Sequence, residues 1–151
     1  HLLPIATIIT PNLPEAAVLL GSTVAKSEEA MIEQGKALLS LGSKTVLIKG
    51  GHSGGMTSND LLVTRKNYTW FNETRINTRN THGTGCTLSS SIASFLAKSY
   101  SIEEAVSESK KFVTNAIKKS NELSVGKGHG PTNHFYAFKG FYKNWRIPCF
   151  Y

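Results

Sequence analysis

Cysteine is scarce in this sequence, which has only Cys86 and Cys149 among its 151 residues. Two cysteines so far apart exclude the dense disulfide framework of small secreted domains, and they do not form a cluster that would hold zinc. We therefore expect a reducing, cytoplasmic setting.

Long apolar runs are also absent. The longest mostly apolar stretch, from Ile92 to Ala97, is far shorter than the roughly 20 residues that a membrane-spanning helix requires, so we expect no membrane partner. The first residues lack the charged start and long apolar core of a signal peptide. Because there is no Met at position 1, we expect the sequence to begin within a longer protein.

Acidic residues are few relative to basic ones. The sequence has 17 Lys and Arg against 10 Asp and Glu, a formal net charge of +7. This balance favours anionic partners such as nucleotides, phosphates or nucleic acid. The densest basic group is Lys110, Lys111, Lys118, Lys119 and Lys127, and the spacing of the first four predicts the solvent side of a helix. A solvated helix face explains these lysines better than a nucleic-acid patch, so no nucleic acid is expected.

Length and patterning predict one α/β domain. Hydrophobic residues make up 40% of the chain, enough for a buried core. Strands are predicted at Ile5 to Thr10, Thr45 to Ile48, Leu61 to Thr64, Tyr68 to Phe71 and Thr74 to Thr78. Helices are predicted at Pro14 to Leu20, Ser27 to Gly42, Cys86 to Ser99 and Ile102 to Leu123. Alternating strands and helices favour a mainly parallel sheet, and a hairpin would add a small antiparallel part.

The strongest chemical signal is the segment from Thr81 to Thr87, which is rich in glycine and lies just before a predicted helix. Glycines let backbone N–H groups turn inward, and a helix N-terminus adds partial positive charge. The segment therefore predicts an anion site suited to a phosphoryl group. Cys86 would lie in the first helical turn, where a thiolate is stabilised and can act as base or nucleophile. A small buried cysteine is the structural alternative.

Two other segments carry candidate binding residues. Lys49 ends a predicted strand before a Gly-rich loop, where its ammonium can project over the carboxyl edge of the sheet; an ordinary exposed lysine is the alternative. His52, in the same loop, has the same ambiguity. Asn12 and Glu15, at a strand-to-helix junction, can hold a hydrated Mg²⁺ through oxygen contacts, with helix capping as the alternative.

Four blocks in this order strongly resemble the hydroxymethylpyrimidine/phosphomethylpyrimidine kinases of thiamine biosynthesis. They are Thr10 to Ala16, Ile48 to His52, Asn80 to Ser89, and Gly128 to Pro131 with His134. The resemblance assigns residues 1–138 to the C-terminal part of a ribokinase-like kinase domain. It leaves the aromatic tail, residues 139–151, without a role.

The resemblance implies a three-layer αβα sandwich and two phosphorylations of the pyrimidine precursor of thiamine, using ATP and Mg²⁺. The loop formed by Gly83, Thr84, Gly85 and Cys86 would be catalytic. Its amides would face the transferred γ-phosphoryl group, and Cys86 would stand where most ribokinase-like enzymes carry an aspartate base.

The family pattern also implies ligand roles outside the catalytic residues. ATP would be bound by Lys49, Thr81, Gly83 and Gly85. Asn12 and Glu15 match the family's Asn-x-x-Glu element and would organise Mg²⁺ and its waters.

The sequence leaves three hypotheses about function open. The substrate is hydroxymethylpyrimidine or its phosphate, or else pyridoxal or pyridoxine, because Gly-Thr-Gly-Cys occurs in those kinases too. Alternatively, the chain is a non-catalytic fragment that binds a nucleotide or a partner, because the family's preceding half has no counterpart here. An exposed sheet edge would then be covered by a second copy or by a complementing N-terminal half.

Overall fold

A computed structural model of the chain describes residues 2–51, 56–125 and 127–138. The predictions for His52 and for the tail, residues 139–151, lie outside these residues. The chain divides into two compact units, of which the first ends at Arg75 and the second begins at Ile76. Within the part of the chain that is described, no helix has both the length and the apolarity needed to cross a membrane.

The first unit contains two helices and a three-stranded sheet. Its elements are α1 (Leu13–Leu20), α2 (Glu28–Ser40), β1 (Val46–Ile48), β2 (Asp60–Val63) and β3 (Tyr68–Phe71). The strand order is β1-β2-β3 and both pairings are antiparallel. The side chains of Leu38, Val46, Ile48, Leu61 and Val63 form the centre of its core. The predicted hairpin, Leu61 to Phe71, is confirmed.

Both helices of this unit begin where local side chains satisfy their first N–H groups. Asn12 and Glu15 form a capping box at α1, and the Ser27 hydroxyl accepts from the N–H of Ala30 at 3.2 Å at α2. Gly21 ends α1 in the left-handed conformation, with φ of 61°. These starts and the end of α1 confirm the two predicted helices.

The predicted strand from Ile5 to Thr10 is wrong in its first half. Leu3–Ile5 is a 3₁₀ helix with Pro4 at its start, and Ile5 is 75% exposed. Pairing with β1 begins only at Ile9, whose N–H donates to the carbonyl of Thr45 at 3.1 Å. Pro11, which has no N–H to donate, limits this contact to isolated parallel bridges.

The regular strands of the structure are antiparallel, whereas the sequence predicts a mainly parallel sheet. Among the described residues, parallel pairing occurs as isolated bridges, joining Ile9 to Val46, Asn12 to Lys49 and His82 to Pro131. The mainly parallel sheet therefore stays a prediction. The predicted strand from Thr74 to Thr78 is wrong, because only Thr74 pairs, in one antiparallel bridge with Thr57.

The second unit is built on a pair of helices, α3 (Thr84–Ala97) and α4 (Ile102–Lys118). Their apolar faces bury Leu88, Ile92, Val106 and Ala116. Helix α4 begins at Ile102 as predicted, with Ser101 as its N-cap, but it ends before the predicted Leu123. A 3₁₀ helix, Ser120–Glu122, follows it.

One lysine of α4 does not lie where the charge pattern predicts. Lys110 is only 7% exposed, so it belongs to the buried side of the helix, whereas Lys111, Lys118 and Lys119 are exposed. Lys111 and Lys119 form surface ion pairs with Glu108 and Glu122. The prediction that these lysines lie on the solvent side of the helix is therefore confirmed for Lys111, Lys118 and Lys119 and wrong for Lys110.

Candidate active site

Three of the predicted ligand residues come together in the first unit. The N–H of Glu15 donates to Asn12 Oδ1 at 2.8 Å, and the N–H of Asn12 donates to Glu15 Oε2 at 2.7 Å. A parallel bridge joins Asn12 to Lys49. Lys49 Nζ donates to the carbonyl of Thr10 at 2.7 Å and lies 3.7 Å from Glu15 Oε2.

Lys49 is not an ordinary exposed lysine. Its side chain is 20% exposed, against 59% for Lys36 on α2. An ion pair with Glu15, which is 57% exposed, contributes at most about 1 kcal/mol to stability. The ammonium of Lys49, the residue that follows β1, is held in place mainly by the Thr10 carbonyl, and the exposed Glu15 carboxylate balances its charge only in part.

The donor set at this junction fits a hydrated cation rather than a closed metal cage. The helix-capping alternative is confirmed, because Asn12 Oδ1 and Glu15 Oε2 both accept N–H groups. Glu15 Oε1 has no partner among residues 2–51, 56–125 and 127–138, and its side chain is exposed. The described residues contain no group of three or more His, Cys, Asp or Glu that could hold a metal. Mg²⁺ commonly keeps several waters, which suits one exposed carboxylate.

The glycine loop after Lys49 is anchored from two sides. The N–H of Gly50 donates to Asp60 Oδ1 at 2.9 Å, and Arg75 Nη1 donates to the carbonyl of Gly51 at 2.7 Å. One partner is the first residue of β2 and the other follows β3, and no pattern in the sequence connects either of them to Gly50 or Gly51.

In the second unit, the N-terminus of α3 lacks a side-chain cap. Its N-cap is Gly83, with φ of 84° and ψ of 0°, whereas Asn12, Ser27 and Ser101 cap the other three α-helices. The N–H of Thr84 bonds to the carbonyl of Thr81 at 3.3 Å, and the N–H of Thr87 bonds to the carbonyl of Gly83 at 2.9 Å.

Between these two bonds, two N–H groups are left for a ligand. Those of Gly85 and Cys86 have no acceptor in the part of the chain that the structure describes. Adjacent unpaired N–H groups at a helix N-terminus form a site for an anion. Thr81, Gly83, Thr84, Gly85 and Cys86 lie together at this helix start, and their binding of an anion stays a prediction.

Cys86 is exposed, so the buried-cysteine alternative is wrong. It lies in the first turn of α3 and lines an open groove of about 570 Å³. The same groove is lined by Thr87, Ser90, Phe95, Phe112 and His134. An accessible thiol beside two unpaired amides can take a proton from a hydroxyl group next to a bound phosphoryl group.

A contact that sequence analysis missed supports this turn. Thr87 Oγ1 donates to the carbonyl of Gly83 at 2.7 Å, and His134 Nε2 lies 2.7 Å from the same Oγ1. Thr132 Oγ1 lies 3.3 Å from His134 Nε2. The four sequence blocks included Thr87 and His134, but 47 positions separate them, and no local pattern indicates that they touch.

Comparison with known proteins identifies the family. A family model described as phosphomethylpyrimidine kinase matches residues 1–133. The hydroxymethylpyrimidine/phosphomethylpyrimidine kinase of Salmonella typhimurium is 47% identical over 138 residues, which cover 91% of this chain and 52% of that protein. The thiamine biosynthesis bifunctional protein ThiED of Geobacter sulfurreducens is 43% identical over 137 residues, which cover 91% of this chain and 27% of that protein.

The chain is also similar to a solved kinase structure. Pyridoxal kinase from Staphylococcus aureus in complex with AMP-PCP superposes with a TM-score of 0.86 at 31% identity, covering 92% of this chain and 50% of that one. The chain spans about half the length of the kinases named hydroxymethylpyrimidine/phosphomethylpyrimidine kinase that it matches. Together with the four ordered blocks and the uncapped turn before α3, these matches show that the chain belongs to the phosphomethylpyrimidine kinase family.

Proposed function

We propose that this chain is the C-terminal part of an ATP-dependent kinase that phosphorylates hydroxymethylpyrimidine and its monophosphate in thiamine diphosphate biosynthesis. The observation that carries the proposal is the pair of unpaired N–H groups, of Gly85 and Cys86, beside an exposed thiol. The relatives' names supply the reaction class, and the AMP-PCP complex of the S. aureus enzyme supports ATP as phosphoryl donor.

For the complete fold we propose the ribokinase-like three-layer αβα sandwich with a mainly parallel sheet. Its support is the superposition on S. aureus pyridoxal kinase, of which this chain covers only half. The strands that would make the sheet mainly parallel are then contributed by the half of the family's length that this sequence does not match.

In the proposed reaction, the substrate hydroxyl oxygen attacks the γ-phosphorus of ATP, the bond to the β-phosphate oxygen breaks, and ADP leaves. The Cys86 thiolate accepts the hydroxyl proton. The N–H groups of Gly85 and Cys86 stabilise charge on the equatorial oxygens of the transferred group. Gly83 permits the left-handed turn, and Thr84 and Thr81 close it through their 3.3 Å backbone hydrogen bond.

The first unit supplies the proposed charge neutralisation. Lys49 would neutralise ATP phosphates with an ammonium that the carbonyl of Thr10 already holds in place. Glu15, through its exposed carboxylate, and Asn12 would hold Mg²⁺ by way of its waters. When bound, Mg²⁺ neutralises phosphate charge. We also propose that the chain acts in the cytoplasm.

A pyridoxal or pyridoxine kinase is the second candidate, and the resemblance to S. aureus pyridoxal kinase favours it. The greater identity to the S. typhimurium enzyme, 47% against 31%, favours the pyrimidine substrate. The third candidate is a non-catalytic fragment that binds nucleotide or a partner. It rests on the half-length match, and it includes association with a second copy or with a complementing N-terminal half.

One experiment separates the three candidates. The purified chain and its Cys86→Ala variant are incubated with ATP and Mg²⁺, and ADP formation is measured with hydroxymethylpyrimidine, its monophosphate or pyridoxal. Turnover with the pyrimidines that Cys86→Ala abolishes supports the main proposal. Faster turnover with pyridoxal favours the second candidate. A folded chain that binds ADP without turning over any substrate favours the third.

A further inference from the structure

The turn that presents the unpaired amides is held by a hydrogen-bond chain that begins at His134. Thr87 Oγ1 lies 2.7 Å from the carbonyl oxygen of Gly83 and 2.7 Å from His134 Nε2. A threonine hydroxyl has one proton, and two acceptor oxygens do not approach to 2.7 Å without a proton between them. The Thr87 hydroxyl therefore donates its proton to the carbonyl of Gly83, and the His134 imidazole must donate its Nε2–H to Thr87 Oγ1.

The carbonyl that receives this chain orients the peptides next to it. Gly83 O accepts both the N–H of Thr87, at 2.9 Å, and its hydroxyl, at 2.7 Å. Gly83 has φ of 84° and no side chain, and apart from this carbonyl the turn is held by the backbone bond from Thr84 to Thr81 and by the bridge of His82 to Pro131. Whatever fixes Gly83 O also fixes the direction in which the N–H groups of Gly85 and Cys86 point.

His134 is well anchored although its own side chain is exposed. The residues before it, Thr132 and Asn133, are each 1% exposed. The N–H of Asn133 donates to the carbonyl of Ala116 in α4 at 3.0 Å, and its side-chain amide donates to the carbonyl of Lys119 at 3.3 Å. The imidazole thus extends from a fixed backbone at the end of α4 to the beginning of α3.

We propose that His134 is a positioning residue: by donating Nε2–H to Thr87, it holds the Gly83 turn so that the amides of Gly85 and Cys86 converge on an anion. The inference rests on the proposed function, because the anion is the transferred phosphoryl group of that reaction. His134 itself touches no reacting atom in this scheme.

The test compares two substitutions at the same exposed position. In His134→Gln, the side-chain Nε2 is as many bonds from the backbone as the imidazole Nε2 and keeps an N–H donor. His134→Leu fills a similar volume without a donor. Circular dichroism verifies that both variants are folded. Steady-state kinetics give kcat and KM for ATP.

A second readout does not require turnover. In a Cys149→Ser background, Cys86 is the sole thiol, and its alkylation by iodoacetamide is measured against inorganic phosphate. Phosphate bound at the turn protects the thiol, and the half-protecting concentration reports on the anion site.

We expect His134→Leu to lower kcat about tenfold with KM for ATP changed less than about twofold, and to raise the half-protecting phosphate concentration about tenfold. His134→Gln should stay within about twofold of the wild type in both measurements. Thr87→Val combined with His134→Leu should add no further loss to Thr87→Val alone, because both substitutions break one chain of hydrogen bonds.

The outcomes distinguish this inference from the proposed function. If His134→Leu matches the wild type, or His134→Gln is equally impaired, the positioning role is overturned. If the wild type shows no turnover but phosphate protects Cys86 and His134→Leu loses that protection, the proposed function fails and the positioning role stands. A folded wild type with neither turnover nor phosphate protection overturns both, since no anion site would then exist to be positioned.

Discussion

The ammonium of Lys49 lies 3.7 Å from Glu15 Oε2, the same oxygen that accepts the N–H of Asn12 at 2.7 Å. This one carboxylate oxygen therefore belongs to the cap of α1 and also pairs with the ammonium of Lys49, the residue that follows β1. Because the carbonyl of Thr10 also accepts a hydrogen bond from Lys49 Nζ, the Lys49 side chain is held in one position. The ammonium is therefore held at a defined position beside the start of α1.

We predict that Lys49→Met raises KM for ATP about tenfold, since a preorganised cation lost at a phosphate site costs about the energy of one charged hydrogen bond. The free energy of unfolding should fall by about 1 to 3 kcal/mol, because the variant loses the charged hydrogen bond to the Thr10 carbonyl, whereas the partly exposed ion pair with Glu15 adds little. Steady-state kinetics and urea unfolding measure the two quantities.

The matched control for Lys49 is Lys36→Met. Lys36 also belongs to the first unit and pairs with a glutamate, Glu33, at 3.0 Å, but it is 59% exposed. It should leave KM for ATP unchanged. An equal rise in KM for both variants would show that total charge, rather than the position of Lys49, attracts the nucleotide.

For Cys86 we predict that replacement by Ala lowers kcat by about 10²- to 10⁴-fold, the usual contribution of a general base, while KM for ATP changes little. Cys149→Ser, which removes the chain's other thiol, should retain the wild-type kcat. Full kcat in Cys86→Ala would exclude the thiol as the base and would leave the backbone amides as the main contribution of this turn.

The sequence predicts the structure correctly where the determining interactions are local. The caps Asn12, Ser27 and Ser101 lie three residues from the N–H groups that they accept, so each helix start could be read directly from the sequence. The Gly-rich turn before Cys86 is local in the same way, since the N–H that bonds to Gly83 belongs to Thr87.

The sequence predicts the structure wrongly where distant contacts or the backbone chemistry of proline decide it. Ile5 has the β-branched side chain of a strand residue, but the preceding Pro4 starts a 3₁₀ helix. Lys110 is buried by tertiary packing, which overrides its charge. The contact between Thr87 and His134 joins segments 47 residues apart, and a single sequence has no signal for it.

We further predict that Gly83→Ala and Gly21→Ala destabilise the chain by similar amounts but differ in their effect on the site. Both glycines have positive φ, 84° and 61°, and a Cβ at either would contact nothing within 4 Å. Backbone strain alone should cost about 1 to 2 kcal/mol in each. Thermal unfolding measures this cost.

Only Gly83→Ala should also weaken phosphate protection of Cys86, because only that turn precedes the unpaired amides. Gly21 ends α1 in the first unit and serves as the matched control for strain. If both variants weakened phosphate protection equally, general destabilisation would explain the effect and the turn would have no special role.

The last prediction concerns the pH dependence of stability at the start of α4. The Ser101 hydroxyl donates to Glu104 Oε2 at 2.6 Å, and the Ser101 N–H donates to the same oxygen at 2.9 Å; these bonds lower the pKa of Glu104. A carboxyl whose pKa is lower in the folded state stabilises the protein above its unfolded pKa. That contribution disappears as the pH falls through its folded pKa.

Glu104→Gln should therefore lower the free energy of unfolding at neutral pH, and this loss should shrink from neutral to acidic pH as the wild-type carboxyl becomes protonated below its folded pKa. Glu103→Gln is the control, because it removes the same charge from the same helical turn, and the Glu103 side chain forms no hydrogen bond with any other described residue. Urea unfolding across this pH range measures both variants. If both variants lose the same free energy of unfolding, the helix dipole explains the loss. A larger loss in Glu104→Gln that shrinks in acid assigns the stabilisation to the capping box.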